Sequence, residues 1–120
     1  MDEVKLGNMI KISTSGEVSN ISVTWVNDLL PHLQAQVGGY IENVGDGELV
    51  MILNEEGKLE GLPRNEKATA LAKAKHMIKD TDYIAGDVLI AGHGGDEIRL
   101  FDREESEKIF DELKAGGFLT

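Results

Sequence analysis

The sequence predicts an α+β fold: a mostly antiparallel sheet, built as a meander, with two or three helices packed on it. Three observations lead there. Short alternating runs, such as Ile21, Val23 and Trp25, have the spacing of half-buried strands. Asp46-Gly47 stands between two strand-like runs, a strong local hairpin signal. Two later segments, opening at Asn65 and Asp102, join a capping residue to helix-spaced apolar side chains. The 14 glycines in 120 residues suit many short elements joined by tight turns.

Taken in order, Met9-Ile10-Lys11-Ile12 is a short strand, followed by a polar turn at Ser13-Thr14-Ser15-Gly16. A second strand carries Ile21, Val23 and Trp25. Asn27 or Asp28 then caps a helix with Leu29, Leu30, Leu33 and Val37 on one face, Pro31 in its first turn and Gly38 as its left-handed stop. Gly39 to Val44 and Glu48 to Leu53 form a hairpin across Gly45-Asp46-Gly47. A further turn at Asn54-Glu55-Glu56-Gly57, with Gly57 left-handed, delivers Lys58-Leu59-Glu60 as the third strand of the meander. Asn65 caps a helix running to about Lys79, with Ala68, Leu71, Ala72, Lys75, Met77 and Ile78 on its apolar side. Asp87-Val88-Leu89-Ile90-Ala91 is the most clearly buried strand, and Gly92-His93-Gly94-Gly95-Asp96 is a loop. The last helix runs from about Arg103 to Ala115. Asp102 and Glu105 form its capping box, Ile109, Phe110 and Leu113 its buried stripe, and Gly116 its stop.

Length and composition bound the function. The chain, 1–120, is sized for a single domain with one core. Its net charge of −10 repels nucleic acid and anionic membranes, so direct binding to either through a basic patch is not expected. Without cysteine there are no disulfides, thiolate metal sites or cysteine nucleophiles. No apolar run approaches the roughly 20 residues of a membrane span, and Met1-Asp2-Glu3-Val4-Lys5 lacks the pattern of a signal peptide. A cytoplasmic location is expected.

The densest polar segment is Asn54-Glu55-Glu56-Gly57-Lys58-Leu59-Glu60-Gly61-Leu62-Pro63-Arg64-Asn65, with Ala68 and Thr69 beyond it. Together with Val37-Gly38-Gly39-Tyr40-Ile41-Glu42 before it and Asp82-Tyr83-Ile84-x-Gly86-Asp87-Val88-Leu89-Ile90 after it, this order of landmarks resembles a family of small proteins from bacteriophages and mobile elements, known chiefly as a domain of unknown function. The resemblance spans about half the chain. It implies a phage or mobile-element accessory gene product, of a kind that often acts on host defence or host metabolism, and it implies no catalytic residues.

Within that segment Asn54, Glu56, Lys58, Arg64, Asn65 and Thr69 are the candidate ligand-binding residues. A turn close to a helix start offers N–H groups to an anion, Lys58 and Arg64 add charge, and Asn65 can read an amide or base edge. The same residues also have purely architectural uses: Asn54 and Gly57 suit a turn, Pro63 stops a strand and Asn65 caps a helix. His32 and His76 lie in helical patterns without a second metal-ligand type nearby. His93 lies in a glycine-rich run that lacks the lysine and hydroxyl of a phosphate loop, and Glu97 stands where a dinucleotide fingerprint needs glycine. The acids Asp96, Glu97, Asp102, Glu104, Glu105, Glu107, Asp111 and Glu112 imitate phosphate spacing or simply solvate a helix face. The expected function is therefore binding without catalysis, metal or cofactor. The expected partner is a small anionic, nucleotide-like signal of host defence, bound by a homo-oligomer. The alternative is a host protein engaged by an acidic, DNA-mimicking surface.

Overall fold

The structure, a computed structural model, describes residues 3–45, 47–94 and 97–115. Along the chain come β1 (Lys5–Ile12), β2 (Val18–Trp25), α1 (Leu30–Val37), β3 (Ile41–Gly45), β4 (Leu49–Asn54), α2 (Glu66–Ala74), β5 (Val88–Gly94), β6 (Glu97–Arg99) and α3 (Arg103–Lys114). The six strands form one sheet of order β2-β1-β5-β4-β3, with β6 paired to the end of β5, and every pairing is antiparallel. This is the predicted α+β class.

Alternation along the strands sorts the core into two layers. Ile10, Ile12, Met51, Val88 and Ile90 face one way, against Ala68, Leu71 and Ala72 of α2 and Leu113 of α3. Met9, Val23, Val50, Ile52, Leu89 and Ala91 face the other way, toward Leu33 and Val37 of α1. β5 is buried from Val88 to Gly92 because it lies between β1 and β4 with helices on both faces.

Several expectations need correction. Lys58-Leu59-Glu60 is not a strand. The edge of β4 that it would occupy belongs to β5, whose Leu89 to Gly92 pair with Leu49 to Ile52. Residues 55–61 coil instead into helical turns, with the Glu60 N–H donating to the Glu56 carbonyl (2.8 Å) and the Leu62 N–H to the Gly57 carbonyl (2.9 Å). The left-handed residue there is Gly61 (φ 70°) rather than Gly57. Glycine at 57 serves close approach: a Cβ would lie 2.9 Å from the Ala85 carbonyl oxygen. At α1 the cap position is Leu29, and Asp28 receives the Leu30 N–H from just outside the helix (3.0 Å).

Helix α2 ends at Ala74, not Lys79, because His76 turns left-handed (φ 57°). The His76 N–H then reaches Lys73 O (3.1 Å) and the Met77 N–H reaches Ala72 O (2.8 Å), the paired bonds of a Schellman stop. The Gly92-His93-Gly94 run is strand, paired with β6, rather than loop. Gly95, Asp96, Asp46 and the expected stop at Gly116 lie outside the described residues. The Asp102–Glu105 capping box is present as predicted.

Candidate functional site

The segment from Asn54 to Thr69 divides into a buried frame and an exposed rim. Asn54, Asn65 and Thr69 form the frame, and all three are buried. Asn54 ends β4, where its Oδ1 receives the Glu56 N–H (2.8 Å) and its Nδ2 donates to Val37 O (3.3 Å). It thereby fastens the turn to the end of α1. Asn65 is fully enclosed. Its Oδ1 caps α2 by accepting from Ala68 N (3.0 Å), and its Nδ2 donates to both Ile12 O and Gly86 O (3.0 Å each). Thr69, one turn into α2, donates its hydroxyl to Asn65 O (2.7 Å) and accepts the Ile84 N–H (2.9 Å). Their polar atoms are spent on backbone, which satisfies groups that burial would otherwise leave unpaired.

These bonds hold residues 63–65 alongside 84–86. The Asn65 N–H donates to Ile84 O and the Gly86 N–H to Pro63 O, each at 2.8 Å, with Arg64 and Ala85 in an antiparallel bridge. That pairing carries Tyr83 to the foot of the exposed rim. The Lys58 ammonium stands 4.6 Å from the centre of the Tyr83 ring, and the Arg64 guanidinium 5.2 Å from it. Each cation also holds one carboxylate: Lys58 pairs with Asp82, and Arg64 Nε lies 2.7 Å from Glu66. The Lys58 ammonium and the Tyr83 N–H together hold the Asp82 carboxyl below its ordinary range. Glu56 is exposed and points its backbone, not its carboxylate, into the frame.

Beside this cluster lies a groove of about 310 Å³ between the β3–β4 hairpin and the 78–85 segment. Its lining joins apolar side chains, among them Leu53, Ile78 and Ile84, to Asn54, Lys58 and Tyr83 and to the acids Glu42, Glu55 and Asp82. Of the six predicted residues, Asn54 and Lys58 line the groove, and Arg64 joins through Tyr83. Asn65 and Thr69 lie behind it as buried supports. Tyr83 is the residue that sequence reasoning missed. Its place in the Asp82-Tyr83-Ile84 landmark marked it, but nothing local ties it to residues 58 and 64. Two roomier hollows flank α3, one of about 430 Å³ and one of about 550 Å³. The first sets Lys75 and Lys108 against Glu48, Glu105 and Glu112, and the groove beside Tyr83 sets Lys58 against Glu42, Glu55 and Asp82, so neither lining has a surplus of positive charge. Among the described residues, no group of three or more histidine, aspartate or glutamate side chains is placed to hold a metal ion.

Fold and groove together define a small α+β sandwich domain with a cation-flanked aromatic at its rim. The chain belongs to the family described as Domain of unknown function (DUF3846), whose model matches residues 9–114. No curated protein sequence matches it. Among solved structures, the crystal structure of small RNA methyltransferase HEN1 is similar, with a TM-score of 0.52 and 14% identity. That match takes in 97% of this chain but 16% of the other, so the likeness is one of fold. No helix of the described residues is long and apolar enough to cross a membrane.

Proposed function

We propose that this protein is a phage or mobile-element accessory protein that acts by binding, and that it sequesters a small anionic, nucleotide-like signal of host defence in the groove beside Tyr83. The observation that supports this reading is the convergence of Lys58 and Arg64 on one aromatic ring at the edge of a partly apolar groove. A base stacks on such a ring in place of a cation, and the displaced ammonium and guanidinium take the phosphates. The exchange costs little, because exposed ion pairs such as Lys58–Asp82 and Arg64–Glu66 are worth only about 0–1 kcal/mol. Glu42 and Glu55, which also line the groove, accept the kind of hydrogen bond that sugar hydroxyls donate.

Calorimetry with cyclic dinucleotides and ADP-ribose derivatives tests the proposal. At least one binds the wild-type protein, and Tyr83→Ala and Arg64→Glu abolish the heat while leaving the melting temperature near its original value. If none gives heat, and the protein leaves host signalling intact in a defence assay, sequestration is refuted. A second reading, an acidic DNA mimic, draws on Glu104, Glu107 and Asp111, which are exposed along one side of α3. Charge reversal at Glu104 and Glu107 discriminates the two: it spares ligand sequestration and abolishes mimicry. Glu105 is unsuited to that test because it holds Arg99 and the helix cap.

A further inference from the structure

The sheet is covered unequally. α2 and α3 pack on one face, but the other has only the eight-residue α1, which packs chiefly on β3, β4 and β5. On that second face α1 reaches the β1–β2 half only at its margin: Leu33 and Val37 share a cluster with Met9 and Val23, and Gln36 accepts from the Lys11 ammonium (3.0 Å). Ile21, Trp25, Leu29, Ile98 and Leu100 are left half-buried there, and Val26 and Leu30 nearby are exposed.

β2 and α1, which supply most of that surface, are nearly uncharged. Between Glu17 and Glu42 the chain carries one charged side chain, Asp28, although the protein is 28% charged overall. This neutral stretch supplies all of β2, which is an edge strand, and all of α1. Edge strands are normally defended by lysine, proline, bulges or brevity. β2 has none of these: Val18-Ser-Asn-Ile-Ser-Val-Thr-Trp25 pairs without a break along β1 for its whole length. The opposite edge, β3, is shorter, carries Glu42 and ends in Gly45.

We propose that the β2 edge and the half-buried apolar strip beside it are the contact surface for a second copy of this chain, joined β2 to β2 in antiparallel fashion about a two-fold axis. Such a pairing is self-complementary, because residue i meets j and j meets i. A second copy also explains the neutrality. Two molecules of net charge −10 repel wherever acids meet, so their shared surface has to be free of charge. The charges beside it are Lys5 and Asp28, of opposite sign, and Lys11, which is held by Gln36 and Asp87. A stable dimer takes about 800 Å² from each partner, about a ninth of the 7092 Å² surface here. Eight paired residues rise about 26 Å, and together with the apolar strip they supply a contact of that scale. The site beside Tyr83 is not involved, so this inference stands apart from the ligand proposal.

Sedimentation equilibrium and the fluorescence of Trp25, the chain's single tryptophan, test it together. The wild type is expected to be a dimer, and on dilution Trp25 emission shifts red as the strip meets water. Ser22→Lys with Thr24→Lys, both at exposed positions, brings like charges face to face across the axis and raises the dimer Kd by about a hundredfold or more. Val26→Asp, just beyond the strand, acts in the same direction. Circular dichroism and thermal melting confirm that the variants remain folded. A wild-type protein that stays monomeric up to about 100 µM overturns the proposal, since any tighter contact is populated there. So does an oligomer that all these variants leave intact.

Discussion

Replacing Asn65 by alanine removes three hydrogen bonds from a fully buried position. Loss of the cap at Ala68 costs about 1 kcal/mol. Ile12 O and Gly86 O each lose a donor where water cannot substitute, at about 1 kcal/mol apiece or more. The sum, about 3–4 kcal/mol, is a large share of the roughly 5–15 kcal/mol that holds a domain of this size together. Urea unfolding should show it as a lower midpoint with an unchanged slope. Asn65→Asp sharpens the test. It keeps the capping oxygen but turns the Nδ2 donor into a second oxygen facing two carbonyls. If Asn65 is a three-way tie, aspartate is at least as damaging as alanine. If it is merely a helix cap, aspartate is nearly silent. A loss below about 1 kcal/mol for Asn65→Asp would refute the structural role, because caps alone tolerate that exchange.

Two further outcomes follow from the helix ends. His76→Gly should stabilise the protein by about 1 kcal/mol in the same unfolding assay, since His76 occupies the left-handed position that glycine enters without strain. Glu105 is held down to about 2, first by the bidentate Arg99 guanidinium and then by the Asp102 N–H. A carboxyl depressed in the folded state stabilises above its unfolded pKa, and that contribution is lost as pH falls through the folded one. Stability should therefore drop from about pH 4.5 toward 2. Glu105→Gln should flatten that part of the thermal-melting profile relative to wild type.

What the sequence revealed was whatever a few neighbouring residues decide. The Ile21-Val23-Trp25 alternation, the Gly38 stop and the Asp102–Glu105 box are local devices, and all appear in the structure. The third strand of the meander failed because strand pairing is a competition among partners far apart in sequence. Lys58-Leu59-Glu60 has to outbid the more apolar Leu89-Ile90-Ala91 for the same edge. The end of α2 was hidden for another reason: nothing in Lys75-His76-Met77 signals a left-handed histidine, and the helical pattern runs on through it. In the candidate site, composition singled out the segment from Asn54 to Thr69 but could not tell which of its side chains point inward. Asn65 and Thr69 have the chemistry of ligand contacts and are used instead to satisfy backbone. Tyr83 was out of reach, because only the tertiary bridge between Arg64 and Ala85 brings it to Lys58.

The placement of β5 also governs how the polypeptide matures during synthesis. Until residues 88–94 leave the ribosome, the described strands of the nascent chain can pair only as two separate hairpins, β1–β2 and β3–β4, each too small to persist in water by itself. Both then expose a raw inner margin that β5 will later occupy from either side. Strand β5 thus works as the keystone of an arch: earlier stones are shaped in advance but cannot bear weight until it drops between them. Slow or interrupted translation before that point leaves two sticky ribbons, which are substrates for chaperones and proteases.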